Sequence, residues 1–292
     1  MIYLDNAATS RIHPDALAKM NEIYNDFYGN PSSLHSFGHA CEKILEYSRE
    51  RIADFINAHR NEIIFTSGGT ESNTMAILGH LRSHPQGGQI LTTQLEHPSV
   101  LETISHLHNK EMEVVYVQTD TFGVVDIEDL AKKINDKTVL CVFTHINSEL
   151  GSIQKLKRIS NTIRNRNRDI RIHIDCAQSF GKIQMDVRDI NVDTIAFSGH
   201  KIHGPRGIGG LFISRATRIE PVFLGGNQEM GLRSGTEDLP AIAGLDFAVD
   251  IRKNIMTHEF ERIAYLKDKM EKMIQNGIDD IRINSGYESS PY

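Results

Sequence analysis

The chain has 292 residues, enough to bury a sizeable core as one large domain or as a large domain with a smaller one beside it. Hydrophobic residues at 39% and charged residues at 24% suit a globular protein, and a net charge of −6 argues against nucleic acid as a partner. No apolar run reaches the roughly 20 residues that cross a bilayer, so no membrane partner is expected.

The N-terminal MIYLDNAATS has no charged-then-apolar leader pattern. Residues 62–66 read as a strand and 69–81 as a helix. A strand at 89–93 and a helix at 100–108 follow, then strands at 113–117 and 138–144 with a helix at 127–134 between them. Strands are expected again at 171–175, 193–198 and 209–214. Apolar runs of this length, separated by helices, predict a mostly parallel sheet buried on both faces. The fold class is therefore α/β in three layers, with ligands binding beyond the carboxyl ends of the strands. From residue 239 to about 273 the pattern is helical, as one long helix or two, and 277–283 is expected to enter another strand. The chain divides into an arm at 1–15, a large domain at 16–250 and the beginning of a smaller α/β domain at 251–292. Cys41, Cys141 and Cys176 are too scattered for a disulfide framework, so a reducing, cytoplasmic setting is expected.

Polar clusters fall at the strand ends. TSGGTES (66–72) ends one strand and opens a helix, which suits either a phosphate or a simple helix cap. Asp175 closes a strand, with Gln178 three residues on. His173 and Asp175 suggest a metal pair, but no further ligand spacing completes a site, so no metal is expected. Cys176 reads as a small buried residue. His97 lies in a loop between strand and helix, where its ring face can stack; His106 and His108 read as surface residues. Lys201, in SGHKIHGP (198–205), follows a buried strand. A phosphate cradle, a strand-end carboxylate, a stacking histidine and a sequestered lysine together describe a site for pyridoxal 5′-phosphate, with Lys201 as the Schiff-base amine.

The sequence resembles the NifS/IscS-type cysteine desulfurases of the class V aminotransferases, which are fold-type-I pyridoxal-phosphate enzymes. The matching stretches are YLDNAAT (3–9), GNPSSLH (29–35), FTSGGTES (65–72), EHP (96–98), DCAQ (175–178), SGHKIHGP (198–205) and GLRSGTE (231–237). The resemblance implies that Lys201 carries the cofactor and moves the substrate's Cα proton, and that His97 stacks on the ring and aids proton transfer. It implies that Asp175 pairs with the ring nitrogen and Gln178 with the phenolic oxygen. Gly69, Thr70, Ser198 and His200 would hold the phosphate, and Thr236 would reach the site of a partner subunit in a homodimer. Asn6, Ala7, Asn30, His35 and Arg233 would border the substrate. Where the family reads Asn-Asn-Glu this chain reads Asn147-Ser148-Glu149, so Ser148 is expected to touch the phenolic oxygen less directly. The family's nucleophilic cysteine is expected beyond residue 292, and this stretch alone is then expected not to desulfurate. The implied activity is conversion of L-cysteine to L-alanine, with sulfur passed as a persulfide to an acceptor or iron–sulfur scaffold protein. Alternatives are another pyridoxal-phosphate lyase or transaminase, such as selenocysteine lyase, a non-catalytic scaffold, and a nucleotide-binding module resting only on the glycine-rich turn.

Overall fold

The structure, a computed structural model, describes residues 2–108, 112–286 and 289–292. Its strands are β1 (Ile63–Thr66), β2 (Gly88–Thr92), β3 (Met112–Tyr116), β4 (Thr138–Thr144), β5 (Arg171–Asp175), β6 (Thr194–Ser198) and β7 (Gly209–Ile213). They form one sheet in the order β1-β7-β6-β5-β4-β2-β3. Strands β2 to β6 pair in parallel, and β7 lies antiparallel between β6 and β1. Thr66 and Ser198 both pair with Gly209, so the carboxyl ends of β1 and β6 meet at one edge of the sheet.

The helices are α1 (Pro14–Asp26), α2 (Ser36–Phe55), α3 (Gly69–Arg82), α4 (Pro98–His108), α5 (Ile127–Lys133), α6 (Leu156–Arg166), α7 (Val187–Ile190) and α8 (Leu239–Gly277). Side chains alternate across each strand, and each apolar run is thereby split between two cores. Cys141 and Phe143 of β4 join the larger core, with Ile52 of α2, Ile163 of α6 and Leu245 of α8. Leu140 and Val142 of the same strand turn to the opposite face, with Ile77 of α3 and Ile104 of α4. This double burial is why the strands read as continuous apolar runs.

The same alternation puts polar groups on one face of β5 and β6. Ile172, Ile174, Ile195 and Phe197 enter the larger core, and His173, Asp175, Thr194 and Ser198 take the intervening positions. Sequence reading singled out His173, Asp175 and Ser198 but not the shared face that joins them to Thr194.

The region from residue 239 is a single 39-residue helix, α8, started by Asp238, whose side chain accepts from the Ala241 N–H at 3.1 Å. It runs unbroken through residue 250. The strand expected at 277–283 is not formed. Gly277 closes α8, Asp280 takes a left-handed φ of +57°, and these residues pair with no strand of the sheet.

Candidate active site

Five strands end on one cavity of about 560 Å³. Gly69 and Thr70 follow β1, His97 follows β2, Ser148 follows β4, Asp175 ends β5, and Ser198, His200 and Lys201 end β6 or follow it; all of them line this cavity.

The turn between β1 and α3 is set by Gly68, whose φ of +149° is reserved for glycine. It aims the first N–H groups of α3 outward, and these have no intrahelical partner. Thr66 Oγ1 and Ser72 Oγ lie 2.8 Å apart and brace the turn from below. Gly209 lets β7 pass under it: a Cβ there would meet the Phe197 carbonyl and lie 2.7 Å from the Gly68 Cα.

Lys201 is half-buried and its amine donates to the Ala7 carbonyl. Burial holds the ammonium below its ordinary range, against the pull of Asp175 and Asp5. Gln178 Nε2 donates to the same carbonyl at 2.8 Å, and Gln178 Oε1 accepts from buried Lys182 at 3.0 Å. The Lys182 ammonium is itself pushed down to about 7, by burial first and then by the charges of Lys201 and Arg252. Ser10 binds the His200 carbonyl through its N–H at 2.8 Å and its hydroxyl at 2.7 Å, and His200 Nδ1 lies 3.0 Å from Thr9 Oγ1. The N-terminal arm is thus fastened along the loop that carries Lys201.

Asp175 is buried, with Oδ1 accepting from the Ala177 N–H at 2.9 Å and Oδ2 from Asn73 Nδ2 at 2.8 Å. Sequence reading missed Asn73; its position on α3, four residues after Gly69, is the signal that places it on the same helix face. His97 Nδ1 accepts from the Ser99 N–H at 3.1 Å and lies 2.8 Å from Ser99 Oγ, so its ring proton sits on Nε2. Glu96, fully buried beside it, accepts from Thr93 Oγ1 at 2.7 Å, and burial pushes its carboxyl up to about 8.

The remaining sequence candidates divide between this cavity and its surroundings. Ala7 lines the main cavity, and Asn6 an adjoining one of about 550 Å³ that shares Ala7, Ser148 and Lys201 with it. Asn30 and His35 are exposed: Asn30 Oδ1 accepts from the Ser32 N–H and His35 caps α2. Arg233 is held by Glu71 at 2.8 Å, and Thr236 is exposed. Ser148 Oγ turns to Glu149 at 3.5 Å. His106 is exposed on α4, and the side chain of His108 lies outside the described residues. Cys41, Cys141 and Cys176 are free and fully buried, and none lines the cavity; burial pushes the Cys141 and Cys176 thiols up. His173 is committed to Asn73 and Thr194. Among the described residues no group of His, Cys, Asp and Glu has metal-binding geometry, and no helix is long and apolar enough to cross a membrane.

The class-V aminotransferase family model matches residues 2–290. The chain belongs to that family. Among the relatives that match are cysteine desulfurases. A mitosomal cysteine desulfurase of Trachipleistophora hominis is 40% identical over 296 residues, covering 99% of this chain and 67% of that protein. A solved NifS-like protein superposes with a TM-score of 0.96 at 34% identity, over 99% of this chain and 80% of the other. A structure titled SspA in complex with cysteine superposes with a TM-score of 0.82 at 36% identity, over 86% of this chain and 72% of the other. The class-V fold explains why five strand ends supply one site: the strands that run in one direction send the loops that follow them to the same edge.

Proposed function

We propose that this cavity takes pyridoxal 5′-phosphate on Lys201 and serves the conversion of L-cysteine to L-alanine, with the sulfur handed to a thiol. The observation that carries the reading is a half-buried amine whose charge burial opposes, set across one cavity from a buried carboxylate. A second observation tests the fit of the cofactor. Ser198 Oγ is buried and has no hydrogen-bond partner, and it lines the cavity with Gly69 and Thr70 at the start of α3. An orphaned hydroxyl beside free helix N–H groups is the donor set a phosphate requires.

Bound there, pyridoxal phosphate supplies an electrophilic aldehyde carbon and an electron-withdrawing pyridinium ring. The chain's residues take complementary tasks. Gly69, Thr70, Ser198 and His200 would hold the phosphate, and Asp175 would keep the ring nitrogen protonated. Gln178 and Ser148 would face the phenolic oxygen, and His97 would cover the ring. Lys201, with its charge disfavoured by burial, is suited to hold the aldehyde carbon and then to accept the proton from the substrate's Cα. Asn6, Ala7, Asn30, His35 and Arg233 would border L-cysteine.

The same reading makes the protein a homodimer. The loop at 223–237 exposes Leu224 at 82% and ends at exposed Thr236, which would reach the partner subunit's phosphate. We keep residues 16–250 as the cofactor-binding domain, 1–15 as the arm that borders the substrate and 251–292 as the opening of a smaller domain. The buried free thiols fit a reducing compartment, here taken as the cytoplasm, and a sulfur-acceptor or iron–sulfur scaffold protein would receive the product sulfur. Adding pyridoxal phosphate to the full chain is expected to produce a visible absorption band that Lys201→Ala abolishes. A band of equal strength in that variant would defeat the assignment.

A further inference from the structure

Asn73 is absent from every role assigned above, yet all its side-chain polar atoms are used in a buried site. Its Nδ2 donates to Asp175 Oδ2 at 2.8 Å and to Ser99 Oγ at 2.9 Å. Its Oδ1 lies 2.9 Å from His173 Nε2, and His173 Nδ1 lies 2.9 Å from Thr194 Oγ1. Asn73, His173, Thr194 and Asp175 are 1%, 0%, 0% and 4% exposed, so water does not substitute for any of these partners.

The directions of these bonds are determined. Both amide hydrogens of Asn73 are taken, so Oδ1 must accept and His173 must carry its proton on Nε2. Burial lowers His173 to about 3, so the ring is neutral and has one N–H to give. Its Nδ1 then accepts from the Thr194 hydroxyl. At the other end Ser99 Oγ accepts from Asn73, and its own hydrogen goes to His97 Nδ1, which also accepts from the Ser99 N–H. The chain runs one way from Thr194 through His173 to Asn73, where it divides between Asp175 and His97.

We propose that Asn73 is the positioning residue of this site, fixing the Asp175 carboxylate through a hydrogen-bond relay that starts at Thr194 and His173. It acts through Asp175. The inference deepens the cofactor reading and rests on it. The titratable groups coupled to Asp175 are Lys201, Glu96 and Cys176, and His173 is neutral.

The test compares wild type with Asn73→Ala and Asn73→Asp in the full chain. One readout is the pH midpoint of the visible band at saturating pyridoxal phosphate. Loss of one hydrogen bond to a carboxylate makes it more basic, so Asn73→Ala is expected to raise the midpoint by about one unit, and Asn73→Asp, which sets a second carboxylate against Asp175, by more. Thr70→Ala, on the phosphate side, is expected to weaken cofactor binding and leave the midpoint in place. The second readout needs no cofactor. In ¹⁵N-histidine spectra, wild-type His173 is expected to carry its proton on Nε2, with a mixture of tautomers in Asn73→Ala, where the acceptor at that nitrogen is gone. Unmoved midpoints in both Asn73 variants would overturn the proposal, as would a proton on Nδ1 of wild-type His173. Absence of any band in wild type would instead defeat the cofactor reading, and the histidine spectra would still decide the relay. Asn73→Asp is nearly isosteric, so a failure of Asn73→Ala to fold leaves the comparison intact.

Discussion

At Lys201 two influences compete. Burial disfavours the ammonium and the carboxylates of Asp175 and Asp5 favour it; burial is the larger, and the amine is held below its ordinary range. Glu96 shows the same physics with opposite sign. Burial pushes its carboxyl from 4.5 to about 8, with Asp175 adding to the effect. The folded state therefore keeps a proton that the unfolded chain releases, and stability falls as pH rises from 4.5 to about 8. Glu96→Gln removes that dependence. Its melting temperature relative to wild type is expected to climb through this window and level off above it; parallel melting curves across pH would refute the assignment. Lys201, Asp175 and His97 were legible in the sequence because each stands at a strand end within a recognisable motif. Asn73 was not. Its importance comes from three partners that lie 26, 100 and 102 residues away in sequence, and no local pattern reports contacts of that range.

Among the elements, the loop at 223–237 depends on one buried ion pair. Arg49 of α2 donates to both Glu229 oxygens at 2.7 and 2.8 Å, and the Phe65 N–H of β1 donates to Glu229 Oε2 at 2.7 Å. Glu229 and Met230 sit at φ +47° and +58°, a left-handed backbone that non-glycine residues rarely adopt. The pair holds that conformation against the sheet edge. Glu229→Ala leaves buried Arg49 with Glu46, at 3.1 Å from its Nε, as its remaining ionic partner, and is expected to cost about 3 kcal/mol in denaturant unfolding. A loss under about 1 kcal/mol, the scale of an exposed pair, would show that the loop is held elsewhere. The seven strands were legible as apolar runs with errors of a residue at their ends. The reversed direction of β7 was not, because apolar periodicity carries no information on strand direction. The failed strand at 277–283 shows the same limit: Ile281 and Ile283 alternate around Arg282, but a strand exists only where another edge accepts its hydrogen bonds.

For the molecule as a whole, the parallel sheet gathers the site at one edge and leaves the thiols elsewhere. Cys41, Cys141 and Cys176 are all 0% exposed and away from the cavity. Loaded with pyridoxal phosphate, residues 1–292 are expected to perturb the visible band on binding L-cysteine, and to release alanine only when a small thiol is added as sulfur acceptor. Alanine release without it, in single turnover with no excess L-cysteine to serve as acceptor and with a protein persulfide found by mass, would mean that one of the buried cysteines reaches the substrate. The most direct test of the central claim is chemical. The full chain is incubated with pyridoxal phosphate, reduced with borohydride and digested, and its peptides are mapped by mass. The account predicts one pyridoxyl adduct, on the peptide that contains Lys201. An adduct confined to Lys182 or to surface lysines, with Lys201 unmodified, would contradict it.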